Sequence, residues 1–467
     1  MRSSSITTNK IDWITVGVYM LLCLCGILNI YSSAYNPENP SIFDLSQEYG
    51  KQIMWWGISL VLGGMVLLLD GAFIRDIAYT AYGFSIALLM LVLLVGNEVN
   101  GAKAWFGIGG FGIQPSEFMK VTLSLALARY LSSADLRIIE RSKRNTGIIS
   151  GKISGLFTSI VKFFSSPQFY VMLLIGFPAA LILLQPDMGT VIVFAGLLFM
   201  LYREGLSGNI MLFGVFALAL AMVTLMLKDS TIELPVLGKH TAAKYGIILT
   251  LTIVTALGAL FVSRVVMKRN RRFVLTALAL VYVGSSGMVM TVDYAFHHVL
   301  GKHQKTRIDI FLGLKDDPNG EGYNIDRAMA SIGSGGVTGK GYMKATLATK
   351  QQKHVPMQST DFIYCTLSEE WGFLGSFAVI IAFVFLLIRI IVLAERQRLA
   401  FTRIFGYCVA CIFFMHFLVN VGMAMGMVPV IGIPLPFFSY GGSSLMAFTL
   451  LLAIMIRLDA ERMDVLR

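Results

Sequence analysis

The chain has 467 residues, 56% of them hydrophobic and only 14% charged, with a mean hydropathy of +0.72. A soluble protein this apolar could not cover its surface, so the composition reads as an all-α polytopic membrane protein. The net charge of +11 does not imply nucleic acid, because much of it lies in short segments beside apolar runs, where lysine and arginine are expected on the cytoplasmic side.

The N-terminus, Met1–Ser5, is polar and mildly basic, and the first apolar run lacks a small-residue cleavage site, so it is expected to be retained. Apolar stretches of spanning length fall near 12–32, 52–70, 77–95, 115–133, 168–184, 189–203, 209–227, 245–265, 273–292, 361–391, 404–425 and 443–457. That makes about twelve transmembrane helices. The five cysteines, Cys23, Cys25, Cys365, Cys408 and Cys411, lie in or beside these stretches and read as small buried hydrophobes.

Charge sets the orientation. Arg137, Arg141, Lys143, Arg144, Lys152 and Lys162 cluster in 134–167, and Arg264, Lys268, Arg269, Arg271 and Arg272 in the 264–272 hairpin. Arg389, Arg396, Arg398 and Arg403 flank a later turn, and Arg457, Arg462 and Arg467 end the chain. With both termini cytoplasmic, all four groups fall on the cytoplasmic side. Parity then puts the 293–360 segment outside, although it carries Lys302, Lys305, Arg307, Lys315, Arg327, Lys340, Lys344, Lys350 and Lys353. Loops longer than about 60 residues escape the charge rule. Either an anionic ligand explains those cations, or the loop is simply solvated.

Several segments carry candidate chemistry. Gly101–Gly107, with Lys103, Trp105 and Phe106, reads as an interfacial loop before the helix start at Gln114–Lys120. Glu117 and Lys120, three apart, share a helix face. They form a structural ion pair or contact a polar lipid head. Asp187 caps the helix after it or takes part in chemistry, and Arg129 is a further charge at membrane depth. Gly333–Gly341 fails as a nucleotide loop, because Ser334 and Gly341 occupy positions that need glycine and Ser or Thr. It is an anion-holding turn with Lys340, or plain loop.

Asp361 stands where the polar loop gives way to an apolar helix that carries Glu369 and Glu370 deeper down. An acid there is a helix cap or a catalytic group at the membrane boundary. Pro429, Pro434 and Pro436, followed by Ser439–Ser444, require non-helical backbone near membrane depth. Such backbone is buried in protein or lines a wet cavity, and it supplies the second wall of a candidate site.

Taken together, Gly101–Trp105, Gln114–Lys120, Gln185–Thr190, Asp317–Gly341, Thr360–Gly375 and Asn420–Ser444 resemble the SEDS proteins (shape, elongation, division and sporulation). The Gly432–Pro436 run is closer to the RodA branch than to FtsW. The resemblance implies an inner-membrane peptidoglycan glycosyltransferase that polymerises lipid II in elongation or division complexes, beside a class B penicillin-binding protein. It maps the family's essential outer acid onto Asp361, its loop tryptophan onto Trp105, and its membrane pair onto Glu117 and Lys120. Lys103, Lys340 and Ser439, in the same segments, complete the expected substrate-binding set.

The chain departs from the family at Ala104, often arginine, and at Met357 and Ser359, usually glutamate and histidine. Gly322–Ala328 lacks the family's usual glutamine pair and serine. The family has ten spans, so 245–292 is expected to be an inserted helix pair in a single domain, with 293–360 as the outer catalytic loop. The implied reaction displaces lipid diphosphate with inversion. Asp361 acts as base or holds a divalent cation, Mg or Mn. The rivals are a lipid II flippase, which needs intramembrane charges but no outer acid, and a non-catalytic scaffold.

Overall fold

The computed structural model describes residues 10–37, 41–99, 102–108, 111–133, 167–205, 208–228, 230–234, 238–314, 321–347 and 358–462. Of the residues singled out above, Met1–Ser5, Gly101, those in 134–166, Lys315, Asp317, Lys350, Lys353, Met357 and Arg467 lie outside them.

Helices cover each of the twelve apolar stretches. They are α1 (Trp13–Ala34), α2 (Glu48–Leu68), the short α3 (Gly71–Asp76), α4 (Ala78–Val95), α5 (Pro115–Ser133), α6 (Pro167–Leu183), α7 (Met188–Ala195) and α8 (Leu197–Arg203). After these come α9 (Gly208–Met226), α10 (Ala243–Val265), α11 (Lys268–Tyr294), α12 (Lys302–Phe311), α13 (Glu321–Ser334), α14 (Ile363–Glu395), α15 (Ala400–Ala424) and α16 (Gly442–Ala460). Among the described residues, 8 helices are long and apolar enough to cross a membrane, and three further apolar helices are shorter. α5 is long enough but carries Glu117, Lys120 and Arg129. The protein is a multi-pass membrane protein, since an apolar helix satisfies its own backbone where no water can.

The chain forms two compact units, Met1–Glu204 with Asn324–Arg467, and Gly205–Tyr323. In the first, α15 and α16 are the core. The apolar window of α16 is 94% buried and that of α15 72%, against 17% for α2. α16 packs on α2 and α5, α15 on α5 and α14, and α1 on α14 and α2. Between α4 and α5 the chain forms an antiparallel sheet of β1 (Asn97–Val99), β2 (Ala102–Ile108) and β3 (Phe111–Ile113). Asn97 pairs with Trp105 and Phe106 with Ile113. The interfacial loop of the sequence reading is therefore a strand.

In the second unit, β4 (Thr231–Leu234) pairs with β5 (Gly238–Ala242) and leads into the α10–α11 hairpin. α11 runs into a π-turn, Ala295–Val299. Lys228 pairs with Asp309 and lies 3.4 Å from the Phe296 ring centre. Lys244 pairs with Asp293 at 2.8 Å.

The segment read as a long polar loop thus holds helices α12 and α13. Its later part, 335–347, is tied to a break in α14. Gly372 has φ 62, ψ −159, which interrupts the helix. A Cβ on Gly372 would lie 2.3 Å from Gly339 N, so only glycine fits there. The freed peptide groups find partners across the gap. Lys340 N donates to Glu369 O at 3.0 Å, Gly341 N to Glu370 O at 2.9 Å and Phe373 N to Gly336 O at 2.9 Å. The Gly333–Gly341 turn therefore spends these amides on α14, which leaves them unable to hold an anion.

Candidate functional site

Asp361 lies in the turn Gln358–Phe362, half-buried, immediately before α14. The N-cap of α14 is Phe362, with no side-chain capping bond. Asp361 thus stands one residue ahead of the N-cap position. Its neighbours fix the main chain from two helices and from the non-helical segment before α16. Asn420 Nδ2 of α15 donates to Asp361 O at 2.9 Å and to Ile433 O at 2.7 Å. Asn29 Nδ2 of α1 donates to Ile363 O at 3.0 Å, and Gln358 Nε2 to Ser33 O at 2.8 Å. Tyr440 N donates to Ser359 O at 2.9 Å. The carboxylate faces Gly432 (φ +77), where a Cβ would come within 3.2 Å of Asp361 Oδ2. A side chain there would crowd the acid.

The opposite wall is the non-helical segment between α15 and α16. It is buried in protein, as backbone at this depth must be: Ile433, Leu435, Phe437 and Phe438 are all at most 2% exposed. Phe437 holds φ 64, wedged edge-on against Tyr19 and Phe413 at 4.9 and 5.3 Å. Such a conformation costs about 1–3 kcal/mol and persists only where packing imposes it. Ser439 is buried, and its Oγ accepts from Leu435 N at 2.9 Å. Gln52 of α2 holds both flanks, donating to Ser439 O at 3.2 Å and accepting from Gly441 N at 3.1 Å.

Behind this wall lies the membrane pair. Lys120 Nζ is 2.7 Å from Glu117 Oε2 and 2.9 Å from His416 Nε2. His416 Nδ1 meets Pro434 O at 3.0 Å, its proton facing that acceptor, so Nε2 is free to accept from the lysine. Lys120 has no exposed surface and also lies 4.9 Å from the Phe448 ring centre. The pair is enclosed, and it reaches the Asp361 turn through His416, Pro434, Ile433 and Asn420. His416 and Asn420 were not singled out in the sequence. Their signal was available, as two polar residues four apart on one face of an apolar helix.

The remaining expected residues sit apart. Lys103 Nζ donates to Leu94 O at 3.1 Å and closes the end of α4. The Trp105 ring lies over Gly112, whose Cβ would sit 2.9 Å from Cε3. Lys340 Nζ binds Glu369 Oε1 at 2.6 Å and Thr346 Oγ1 at 2.7 Å. Glu369, fully buried, also accepts from Ser331 Oγ and from Thr346 N and Leu347 N. Lys305 Nζ donates to His297 O at 2.8 Å. Two of the cations read as awaiting an anion thus have internal acceptors. Asp187 is the N-cap of α7, accepting from Thr190 N at 3.1 Å, and it also takes Gln114 Nε2 and Ser116 Oγ from the start of α5. Among the described residues, no group of three or more His, Cys, Asp or Glu converges as a metal site.

A buried acid turn, a proline-rich wall and an intramembrane Glu–Lys–His group come from segments scattered over the whole chain. The family model for the FtsW, RodA and SpoVE cell cycle proteins matches residues 12–234 and 241–464. The chain belongs to this family. It is 32% identical over 460 residues to peptidoglycan glycosyltransferase RodA of Treponema pallidum (strain Nichols), covering 97% of this chain and 98% of the relative. It is 26% identical over 451 residues to peptidoglycan glycosyltransferase MrdB of Escherichia coli (strain K12), covering 95% and 93%. Among solved structures it resembles a chain of a peptidoglycan synthase complex described as coordinating polymerization and crosslinking. The TM-score there is 0.64 at 25% identity, over 97% of this chain and 98% of that one. As an FtsW/RodA/SpoVE family member, the chain keeps the polytopic helical fold along its full matched length.

Proposed function

We propose that the chain is a peptidoglycan glycosyltransferase that polymerises lipid II, with Asp361 as its catalytic base. The observation that carries this reading is the Asp361 turn: a half-buried carboxylate just ahead of α14, on a main chain tied to α1 and α15, facing a glycine. Naming of the curated relatives as glycosyltransferases supports it.

The chemistry needs few parts. The acceptor's 4-hydroxyl loses its proton to Asp361 as its oxygen attacks the anomeric carbon of the donor, and the bond to the lipid diphosphate breaks. Diphosphate leaves without a proton, so the second carboxylate of ordinary glycoside hydrolysis is not required. Direct displacement inverts the α-linked donor to a β-linked product. The rigid turn aims the base, the advantage that preorganised geometry gives.

In the alternative role, Asp361 would hold a divalent cation, Mg or Mn, instead of taking the proton. That suits magnesium, which commonly uses one or two carboxylates with substrate phosphates. Its chemistry would be to stabilise charge on the leaving diphosphate. Lys340 keeps part of its surface, so it remains a candidate contact for the diphosphate. We place the active acid on the outer face of the inner membrane, both termini in the cytoplasm, and a class B penicillin-binding protein as partner.

Purified chain in liposomes containing lipid II separates this reading from its rivals. Polymerase activity yields glycan strands. Transbilayer movement of lipid II without strands would mean a flippase, and neither would mean a scaffold.

A further inference from the structure

The end of the first unit remote from Asp361 holds a cavity of about 240 Å³. Asp361 precedes the start of α14, whereas the cavity is lined by residues that follow its end. The part of α14 beyond its break at Gly372, residues 373–395, alone spans roughly 35 Å at 1.5 Å per residue. The cavity lies where α3, the α14–α15 turn and the end of α16 meet. Arg75, Arg398, Arg462, Glu461, Phe401 and Leu458 are among its walls.

The charge balance is positive. Glu461 is already engaged, accepting from Gly71 N at 3.0 Å and pairing with Arg457 at 2.5 Å. Arg462 leans on Asp459 at 3.3 Å, but Asp459 also binds Arg396 and accepts from Gln397 at 2.6 Å. Arg75 Nε is buried with no hydrogen-bond partner, its nearest carboxylate oxygen being that of Asp76 at 3.8 Å. Among the described residues, Arg398 makes no ion pair, and it is exposed. Two guanidinium groups with spare donors therefore meet an apolar floor at the level where helices end.

We propose that this cavity binds the phosphate headgroup of an anionic phospholipid. A guanidinium fork matches phosphate geometry, and it does so better than lysine. Phe401 and Leu458 suit the first carbons below the phosphate. The volume falls below the ~300–1,000 Å³ of drug-sized ligand pockets, which fits a headgroup and not a whole lipid. The arginines around the α14–α15 turn and at the chain end mark this as the cytoplasmic side, where the leaflet is anionic and basic pockets between helices bind such headgroups.

The test uses the full chain in lipid nanodiscs of phosphatidylcholine, with and without phosphatidylglycerol, read by the thermal unfolding midpoint. A ligand that binds only the folded state raises that midpoint. Phosphatidylglycerol should raise it for the native chain, and the gain should shrink for Arg398→Gln and for Arg75→Gln singly. In the double variant, headgroup affinity should fall at least tenfold, while the midpoint in pure phosphatidylcholine stays near native. A control, Arg271→Gln with Arg272→Gln, removes equal charge outside the cavity and should keep the gain. Equal gains for the native chain and the double variant overturn the proposal, as does loss of the gain in the control. Inorganic phosphate added to phosphatidylcholine discs should do nothing. A shift there that the double variant loses would assign a soluble anion instead of a lipid.

Discussion

Asn420 spends both amide hydrogens on main-chain carbonyls, those of Asp361 and Ile433. It therefore joins the acid turn to the proline-rich wall without touching the reacting groups, a positioning residue in the proposed mechanism. Asn420→Ala should lower the maximal polymerisation rate about ten- to hundredfold with little change in KM, the scale expected for a misplaced catalytic group. If Asn420 acts through Asp361, the same substitution should cost almost nothing further in an Asp361→Asn background, since residues acting as a unit are not additive. Full additivity would separate the two. The buried Lys120 makes a different prediction. Lys120→Met should cost about 3–5 kcal/mol of stability, because Glu117 is left charged and unpaired, and Glu117→Gln beside it should restore part of that loss. Unfolding midpoints in one detergent would measure both. Glu117 and Lys120 were legible as a pair from their spacing alone. Their third partner, His416, comes from 296 residues away, and no local pattern connects positions so distant.

At the scale of elements, the break in α14 explains the glycines that the sequence left as an anion-holding turn or plain loop. The turn at 335–341 fills the gap that Gly372 opens, and it brings Lys340 onto Glu369. A Cβ on Gly339 would lie 2.1 Å from Glu370 O. Gly339→Ala should therefore lift the turn off α14. Hydrogen exchange at the Lys340 and Gly341 amides should speed up by at least tenfold, while exchange in α15 and α16 stays at native rates. Unchanged protection would mean that the turn is not held by that contact. Helix positions were readable from apolar runs because a membrane leaves the backbone no other regular solution. The strand at Trp105 and the helices inside 293–360 were not readable. The strand is short and paired locally, and the helices are polar overall, so a search for apolar runs of spanning length passes over both.

At the scale of the whole molecule, ion pairs close the end of the bundle opposite Asp361. Asp12 accepts from Arg389 and Thr15, and Arg396 bridges toward Asp459. Burial alone would raise the Asp12 carboxyl, but the bonds from Arg389 and Thr15 outweigh it and bring its pKa to about 2. A depressed folded pKa gives stability that is present above the unfolded value, near 4, and is lost as pH falls toward 2. Asp12→Asn should cost about 1.5–3 kcal/mol at neutral pH. The gap between variant and native midpoints should close between about pH 4 and pH 2, and a gap that persists at pH 2 would contradict the pairing. The family was legible because its segments occur in order along the chain. The fate of the basic loop was not, because a sequence shows cations but not the acceptors that neutralise them.

The central claim is that Asp361 removes the proton from the acceptor hydroxyl. Asparagine keeps the size of the side chain and leaves the main-chain anchors from Asn420, Asn29 and Tyr440 intact, but it cannot act as a base. The decisive measurement is the rate of glycan formation from lipid II by purified Asp361→Asn beside the native chain, at matched unfolding midpoints. The base role predicts a loss of at least a hundredfold, within the about 10²–10⁴ that general base catalysis supplies. Turnover near the native rate in a folded variant would contradict it.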